Sequence, residues 1–194
     1  MRGDPDEFGS AYRLLSSTVV PRPVAWTSSR SGDGVDNLAP YSFFTVATVD
    51  PPTLVVSTTG TGRGLKDTAR NAVETGGFAV NVVTDDLAAA MNETSATLPA
   101  GEDEFEHAGV ERAAGERVDA PIVADSPVSL ECRLADVVEV GISTLLFGEV
   151  VYAHVDDDLL VDGKLDVRRL DAVGRLAGSH YATTGERFSL ERPD

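Results

Sequence analysis

The chain has 194 residues, and 42% of them are hydrophobic, which is enough to build the core of one domain and argues against a disordered segment. Its 32 acidic and 16 basic residues give a net charge of −16, which argues against binding to nucleic acid or to an anionic membrane. Lys66 and Lys164 are the only lysines, so we predict a halophilic protein of a high-salt cytoplasm, with an ordinary acidic protein as the alternative.

The first predicted elements are a short helix and a β-hairpin. Residues 11–17 form the helix, because apolar side chains recur at helical spacing before Pro21 and Pro23 end it. A strand follows over residues 24–29. The Asp-Gly pair within residues 30–34 tolerates the positive φ of a tight reversal, and the return strand begins at Asn37.

Residues 53–75 are predicted to form a strand, a loop and a helix. The run 53–58 is short, apolar and β-branched, as in a buried strand. A glycine-rich loop covers residues 60–64 and a helix residues 65–75, which Gly76 and Gly77 end. The apolar face of this helix is predicted to consist of Leu65, Ala69, Ala72 and Val73.

The middle of the chain is predicted to alternate between strand and helix. Residues 78–83 form a buried strand, and Thr84 caps a second helix whose first turn carries Asp85 and Asp86. Residues 99–119 are polar and predict a long excursion with a short helix around Phe105.

Two long strands are predicted over residues 127–140 and 144–155. Alternation in the first places the Cys132 thiol on its buried face. The second is apolar on both faces, so that one face lines a core and the other needs a helix or a second subunit. Many short strands with inserted helices favour one mainly β domain over residues 1–194, a β-barrel, with a sandwich as the alternative.

The cysteine content and the apolar segments indicate the compartment. Cys132 is the only cysteine, so the chain has no intramolecular disulfide and suits a reducing compartment. No segment has the roughly 18 apolar residues of a membrane span, and the first residues lack the apolar core of a signal peptide. We therefore expect a cytoplasmic protein outside the membrane.

Residues 57–68 have the composition of a phosphate site. They are rich in hydroxyl groups and backbone donors, carry Arg63 and Lys66, and lead into a helix whose first amides lack partners. Leu65 separates Gly64 from Lys66, so the segment is not a Walker A loop. A flexible connection is the alternative, but a lysine in a chain that otherwise avoids lysine favours binding of an anion.

Residues 37–44 have the composition of a segment that pairs with a planar ring. Ala39, Pro40 and Ser42 are small enough for the backbone to approach a ligand, while Phe43 provides an apolar wall. An irregular strand with a proline bulge is the alternative. Trp26, the only tryptophan, either packs against such a ring or anchors the core.

Histidine spacing gives no metal motif. His107, His154 and His180 are far apart in sequence, and no nucleophile elbow is present. We therefore predict no metal site. His154 shares a strand face with Tyr152, whereas His180 and Tyr181 lie in a glycine-bounded stretch and are better functional candidates.

An ordered set of short motifs runs through the chain: PRPVAW at 21–26, NLAPYSFF at 37–44, DPP at 50–52, KDT at 66–68, VN at 80–81, MNET at 91–94 and GRL at 174–176. With them the chain resembles the flavin reductase-like family, the FMN-binding split-barrel proteins that include flavoredoxin. The resemblance implies a six-stranded split barrel that forms a homodimer and binds FMN near the dimer interface. The long excursion resembles the flavoredoxin branch.

The resemblance also implies which residues hold FMN. Lys66 and Thr68 are expected to face the phosphate, and Ala39 to Ser42 the ring. The candidate cofactor-binding residues are Trp26, Thr27, Ser28, Asn37, Leu38, Ala39, Pro40, Tyr41, Ser42, Phe43, Ser57, Lys66, Asp67, Thr68, Asn81, Arg175, His180 and Tyr181.

The chemistry that the resemblance implies is hydride transfer from NADH or NADPH to the flavin and then to a small-molecule or protein acceptor. This step requires no general acid or base, so no catalytic side chain is predicted. Two other functions stay open: a flavoredoxin-like electron carrier that a protein partner reduces, and an FMN-binding dimer without turnover.

Overall fold

The computed structural model describes residues 2–99 and 101–193. The predicted domain ends, Met1 and Asp194, and Ala100 in the predicted excursion lie outside the described residues. The α-helices are α1 (Ala11–Thr18), α2 (Asp67–Thr75), α3 (Ala88–Glu93) and α4 (Glu104–Ala108). The strands are β1 (Arg22–Pro23), β2 (Ala25–Arg30), β3 (Asp36–Tyr41), β4 (Phe44–Val49), β5 (Pro52–Thr59), β6 (Gly77–Val82), β7 (Arg112–Ala113), β8 (Ile122–Val123), β9 (Val128–Val140), β10 (Ser143–Val155), β11 (Leu160–Val161), β12 (Lys164–Leu165), β13 (Val173–Arg175) and β14 (Tyr181–Thr183). Short 3-10 helices cover Pro5–Phe8, Gly62–Gly64, Asp157–Leu159 and Val167–Arg169.

Seven strands form one antiparallel sheet in the order β3-β2-β6-β9-β10-β5-β4. The two edge strands, β3 and β4, are consecutive in the chain and joined by Ser42 and Phe43, yet no ladder pairs them within the described residues. The sheet therefore curls without closing, which confirms the predicted split β-barrel with inserted helices rather than a sandwich. It has one strand more than the six that the resemblance implies.

Strand β2 contributes alternate residues to two cores. Ala25 belongs to a cluster with Cys132 and two alanines of α2, so the predicted burial of the Cys132 thiol is confirmed. Trp26 points to the opposite face, where it packs with Met91 of α3 and Phe105 of α4. The inserted helices thus cover both faces of β2, so its residues from Ala25 to Ser29 are buried although three of them are polar.

The predicted α1 and the predicted strands of the large sheet are present, with boundaries shifted by one or two residues. Two of the other predicted helices begin later than expected, whereas the short helix around Phe105 is present as α4. Leu65 is extended at ψ 137° and Lys66 is the N-cap, so α2 starts at Asp67, and Val73 is 49% exposed instead of lying on the apolar face. Thr84 forms a β-bridge with Ala172, which keeps its backbone extended, so Thr84 does not cap α3.

The first part of the polar face of β9 is buried, contrary to the alternation in the sequence, whereas Arg133 farther along this face is exposed. Ser129 and Glu131 are 1% and 0% exposed. The chain after β7 folds back over this face, and the backbone amides of Glu116, Arg117 and Val118 donate to the Glu131 carboxylate at 2.8, 2.7 and 3.0 Å. His154 Nε2 lies 2.6 Å from the same carboxylate, so this histidine is satisfied within the barrel.

The predicted excursion contains α4 and β7 and is tied to the β2–β3 hairpin by ion pairs. Asp36 is buried and bonds Arg30 at 2.6 Å and Arg112 at 2.7 Å. Arg112 also reaches Asp103 at 2.6 Å, at the N-cap of α4. These contacts hold α4 against β3, beside the cavity described below.

Among the described residues, none of the helices has the length and apolar content needed to cross a membrane.

Candidate functional site

A cavity of about 230 Å³ lies between β3, the start of α2, residues 94–99 and the side of the excursion that carries Glu102 and Glu104. It brings together two segments that the sequence analysis singled out separately, the small-residue strand and the Lys66 segment. The predicted residues that line this cavity are Asn37, Ala39, Pro40, Tyr41, Lys66, Asp67 and Thr68.

A directed chain of hydrogen bonds forms one wall of this first cavity. The Tyr41 hydroxyl donates to Thr68 Oγ1 at 3.0 Å, and the Thr68 hydroxyl donates to Asn37 Oδ1 at 2.7 Å. The Asn37 amide then donates from Nδ2 to Glu104 Oε2 at 2.9 Å, and the Leu38 backbone amide reaches the same oxygen at 3.1 Å. Because the Glu104 carboxylate can only accept when ionised, it fixes the direction of every donor in this chain.

Burial shifts two pKa values in this wall. Burial raises the pKa of Tyr41 to about 12, partly offset by the hydrogen bond with Thr68, so its phenol keeps its proton. Burial also raises the pKa of Glu104, while the hydrogen bonds from Leu38 and Asn37 favour the charged form.

The start of α2 has free donors for an anion. Lys66 is the N-cap of α2 and makes no side-chain capping bond, which leaves the first amides of the helix open to a ligand. Lys66 has no ion-pair partner among the described residues, whereas Asp67 is paired with Arg70. Gly60 holds the preceding loop at φ 97°, where a side chain would collide with the Gly64 carbonyl oxygen.

The backbone of β3 is available for the edge of a planar ring. This strand lies at the edge of the sheet and pairs on one side only, with β2. The other side of Ala39, Pro40 and Tyr41 faces the first cavity, so their backbone groups can bind a ligand where a further strand would otherwise pair. A ring beside β3 and a phosphate at Lys66 is the arrangement that FMN requires, so the residues present fit this cofactor.

A second cavity, of about 280 Å³, adjoins the first and shares Pro40 and Ser95 with it. It contains three more of the predicted residues, Ser42, Arg175 and Tyr181. The Arg175 guanidinium lies 4.5 Å above the Tyr181 ring and bonds its hydroxyl group.

A family model described as "Flavin reductase like domain" matches residues 16–170. The chain belongs to the flavin reductase-like family.

Solved structures of this family superpose closely on the chain. Nitrilotriacetate monooxygenase component B from Bacillus cereus is 36% identical with a TM-score of 0.93, and the alignment covers 98% of each chain. 2-Nitrobenzoate 2-nitroreductase NbaA from Pseudomonas fluorescens is 30% identical with a TM-score of 0.87, covering 94% of this chain and 90% of that one. Flavoredoxin of Desulfovibrio vulgaris (Miyazaki F) is 25% identical with a TM-score of 0.79, covering 89% and 91%.

Several predicted binding residues of this flavin reductase-like chain lie in its interior. Trp26 is fully buried and donates from Nε1 to Thr94 Oγ1 at 2.8 Å, so it anchors the core and lines neither cavity. Asn81 is also fully buried, and its amide group bonds four protein partners. The side chains of Thr27, Ser28 and Leu38 are 0% exposed, so they support the site only from behind.

Three other predicted residues are accessible but lie outside the lining of both cavities. Ser57 pairs with Leu145 in the middle of the sheet. Phe43 is 43% exposed and packs with Tyr12 and Arg22 instead. His180 is exposed beside Tyr181 and points to neither cavity.

Sequence reasoning missed two buried charged residues at these cavities, Glu104 and Arg22. Glu104 lies within the excursion. Asp103, the N-cap residue, indicates that a helix starts here, but nothing in the local sequence indicates that this helix contacts β3. Arg22 lies between Pro21 and Pro23. These prolines predicted only the start of a strand, so the sequence analysis assigned no role to Arg22. The structure buries Arg22 to 7% exposure in the wall of the second cavity.

Proposed function

We propose that this chain is an FMN-dependent oxidoreductase that takes hydride from NADH or NADPH and passes electrons to a small-molecule or protein acceptor. One observation carries the proposal: the segment of β3 that is predicted to pair with a ring and the start of α2 that is predicted to bind an anion line a single cavity. The kinship with a monooxygenase component and with a nitroreductase supports an acceptor beyond the flavin.

Bound FMN would supply the hydride-accepting chemistry, and the protein residues would bind and orient it. Lys66 and the first amides of α2 would hold the phosphate. The backbone of Ala39 to Tyr41 would pair with the ring edge. Tyr41, which retains its proton, keeps the wall formed by Thr68 and Asn37 in one arrangement, and a rigid wall fixes the ring relative to a hydride donor.

The exposed apolar edge supports a homodimer as part of this proposal. Strand β4 is a sheet edge with Val46 58% and Val49 83% exposed. An unpaired, apolar edge strand is unstable in water unless another surface covers it. A second copy would cover it, and we place this dimer in a high-salt cytoplasm because of the acidic composition.

Anaerobic titration tests the proposal. Protein purified in high salt and loaded with FMN is mixed with NADH or NADPH, and the flavin absorption band is followed. Bleaching within seconds by either nucleotide is the expected result. A yellow protein that neither nucleotide reduces would instead indicate an electron carrier or a non-catalytic dimer, and a protein that cannot take up FMN would overturn all three functions.

A further inference from the structure

The second cavity is electrostatically unlike the rest of this acidic surface. Its twelve lining residues include Arg22, Arg175, Asn92 and several hydroxyl groups, but neither aspartate nor glutamate. Four other surface cavities, the first cavity among them, each contain at least one carboxylate. The chain has a net charge of −16, but this cavity has two guanidinium groups and no carboxylate. Its local charge is therefore positive, opposite to that of the chain as a whole.

Arg22 is a buried cation without an acidic partner. Its Nη1 donates to the carbonyl oxygens of Ser16 and Val19 at 2.7 and 2.6 Å, and Nη2 donates to that of Leu176 at 2.8 Å. Nε reaches Ser42 Oγ at 3.5 Å. A guanidinium has five N–H groups, so one on Nη2 has no partner in the described part of the chain.

These contacts satisfy donors but leave the charge of Arg22 uncompensated. No carboxylate lies within 4.0 Å of it among the described residues, whereas six other arginines, such as Arg30 and Arg112, form ion pairs with carboxylates. Burying an unpaired charge is costly, and buried charges are ordinarily paired. Arg175, the second cation of this cavity, likewise bonds only neutral groups, the Tyr181 hydroxyl and the Gly178 carbonyl.

We propose that the second cavity is an oxyanion subsite, which binds a carboxylate or phosphate group through Arg22, Arg175 and the Ser42 and Tyr181 hydroxyls. An oxyanion accepts the remaining N–H groups and neutralises the buried charge, and guanidinium groups match its geometry. Since Pro40 and Ser95 belong to both cavities, one molecule can place its anionic group here and its reacting part in the first cavity. Only the placement of the reacting part in the first cavity rests on the proposed function. The binding of the anionic group in the second cavity does not depend on it.

The oxyanion could come from two ligands: the diphosphate of the nucleotide donor or the carboxylate of an organic acid acceptor. Calorimetric titration of the FMN-free protein with inorganic pyrophosphate and with benzoate, at one fixed salt concentration, separates them. We expect saturable binding of at least one probe. Binding of pyrophosphate alone that Arg175→Gln weakens would assign the subsite to the nucleotide, and binding of benzoate alone that Arg175→Gln weakens would assign it to the acceptor. Pyrophosphate binding that only Lys66→Ala weakens would belong to the first cavity and would count against the subsite.

Arg175→Gln is expected to weaken this binding by about tenfold or more, the effect of losing a hydrogen bond from a charged group. Arg192→Gln removes the same charge from an exposed position outside both cavities and should leave the affinity unchanged. Circular dichroism and Trp26 fluorescence verify that each variant is folded.

Ser42→Asp provides a second test that does not remove an arginine. The new carboxylate beside Arg22 Nε takes the place of the ligand, so the variant should lose probe binding and gain resistance to urea. Absence of saturable binding by both probes, or binding that Arg175→Gln and Ser42→Asp leave unchanged, would overturn the subsite. Because FMN is absent throughout, these outcomes are independent of whether NADH or NADPH reduces the flavin.

Discussion

The Thr68 hydroxyl donates a 2.7 Å hydrogen bond to Asn37 Oδ1, which joins the start of α2 to the edge strand β3. Thr68 also accepts from Tyr41, so its only hydroxyl proton is used inside the protein. A phosphate at this site would therefore meet the Thr68 backbone amide rather than its hydroxyl group, which refines the expected role of this residue.

Replacing this hydroxyl should destabilise the fold. Thr68→Val keeps the shape but leaves the Tyr41 hydroxyl without an acceptor and removes the short bond to Asn37, at a cost of about 1–3 kcal/mol in the free energy of unfolding. Urea denaturation monitored by Trp26 fluorescence measures this loss. Thr59→Val, at an exposed position at the end of β5, is the matched control. Equal stability of the two variants would show that the hydrogen-bond chain contributes nothing.

The Lys66 ammonium group is expected to bind the FMN phosphate. Lys66→Ala should weaken FMN binding by about 1.5–3 kcal/mol, the range for a hydrogen bond to a charged group. Lys164→Ala removes the only other lysine, at an exposed position in β12, and should leave the dissociation constant unchanged. Fluorescence titration of FMN with both variants compares them, and equal affinities would remove Lys66 from the phosphate site.

The buried Glu104 carboxylate should make stability fall as the pH rises. Its pKa is raised above the ordinary value of 4.5 by burial, so the folded state holds this proton to higher pH than the unfolded state does. The stabilisation by the protonated form is complete below 4.5 and is lost as the pH rises through the folded pKa. Asp67 also faces Glu104 and raises its pKa further.

Glu104→Gln removes this titration. The stability of the variant relative to the native protein should increase as the pH rises above 4.5 in urea unfolding experiments. Glu102→Gln, an exposed neighbour in the lining of the first cavity, should show no such trend. A difference between Glu104→Gln and the native protein that is constant with pH would contradict the assignment.

Glu131 should have the opposite pH dependence. Its burial favours the neutral acid, but the three backbone amides and His154 outweigh burial and lower its pKa below 4.5. Its stabilisation is therefore present above 4.5 and is lost as the pH falls through the folded pKa. Glu131→Gln should cost about 1.5–3 kcal/mol at neutral pH.

The cost of Glu131→Gln should shrink as the solution becomes more acidic, and urea unfolding over the acidic range measures it. The matched variant is Glu149→Gln on β10, whose carboxylate forms a more exposed pair with Arg133. Should the deficit of Glu131→Gln persist at low pH, packing rather than charge would explain the role of this residue.

Local patterns were sufficient to predict six of the seven strands of the large sheet, all but β4, and the two segments that line the first cavity. Short apolar runs between turn residues located β5 and β6, and the rarity of lysine drew attention to Lys66. These signals are local, because strand burial and charge excess are visible within a few residues.

Long-range packing decided what the sequence could not predict. The alternation along β9 indicates an exposed Glu131, but the returning excursion covers that face and reverses the assignment. The bond between Glu104 and Asn37 joins residues 67 positions apart, and nothing near either residue indicates the other. Trp26 and Asn81 belong to motifs that the chain shares with the family, yet both side chains are buried in the core. A shared motif indicates the family but does not indicate the direction in which a side chain points.

The excursion is held to the barrel by two contacts that respond differently to the solution. Ion pairs of Arg112 hold its outer part, near Glu104, while buried hydrogen bonds to Glu131 hold residues 116–118. Dissolved salt screens the partly exposed pairs far more than the buried bonds. Rising ionic strength therefore weakens the Arg112 attachment more than the Glu131 attachment, so in concentrated salt the excursion is held more firmly at residues 116–118 than near Glu104.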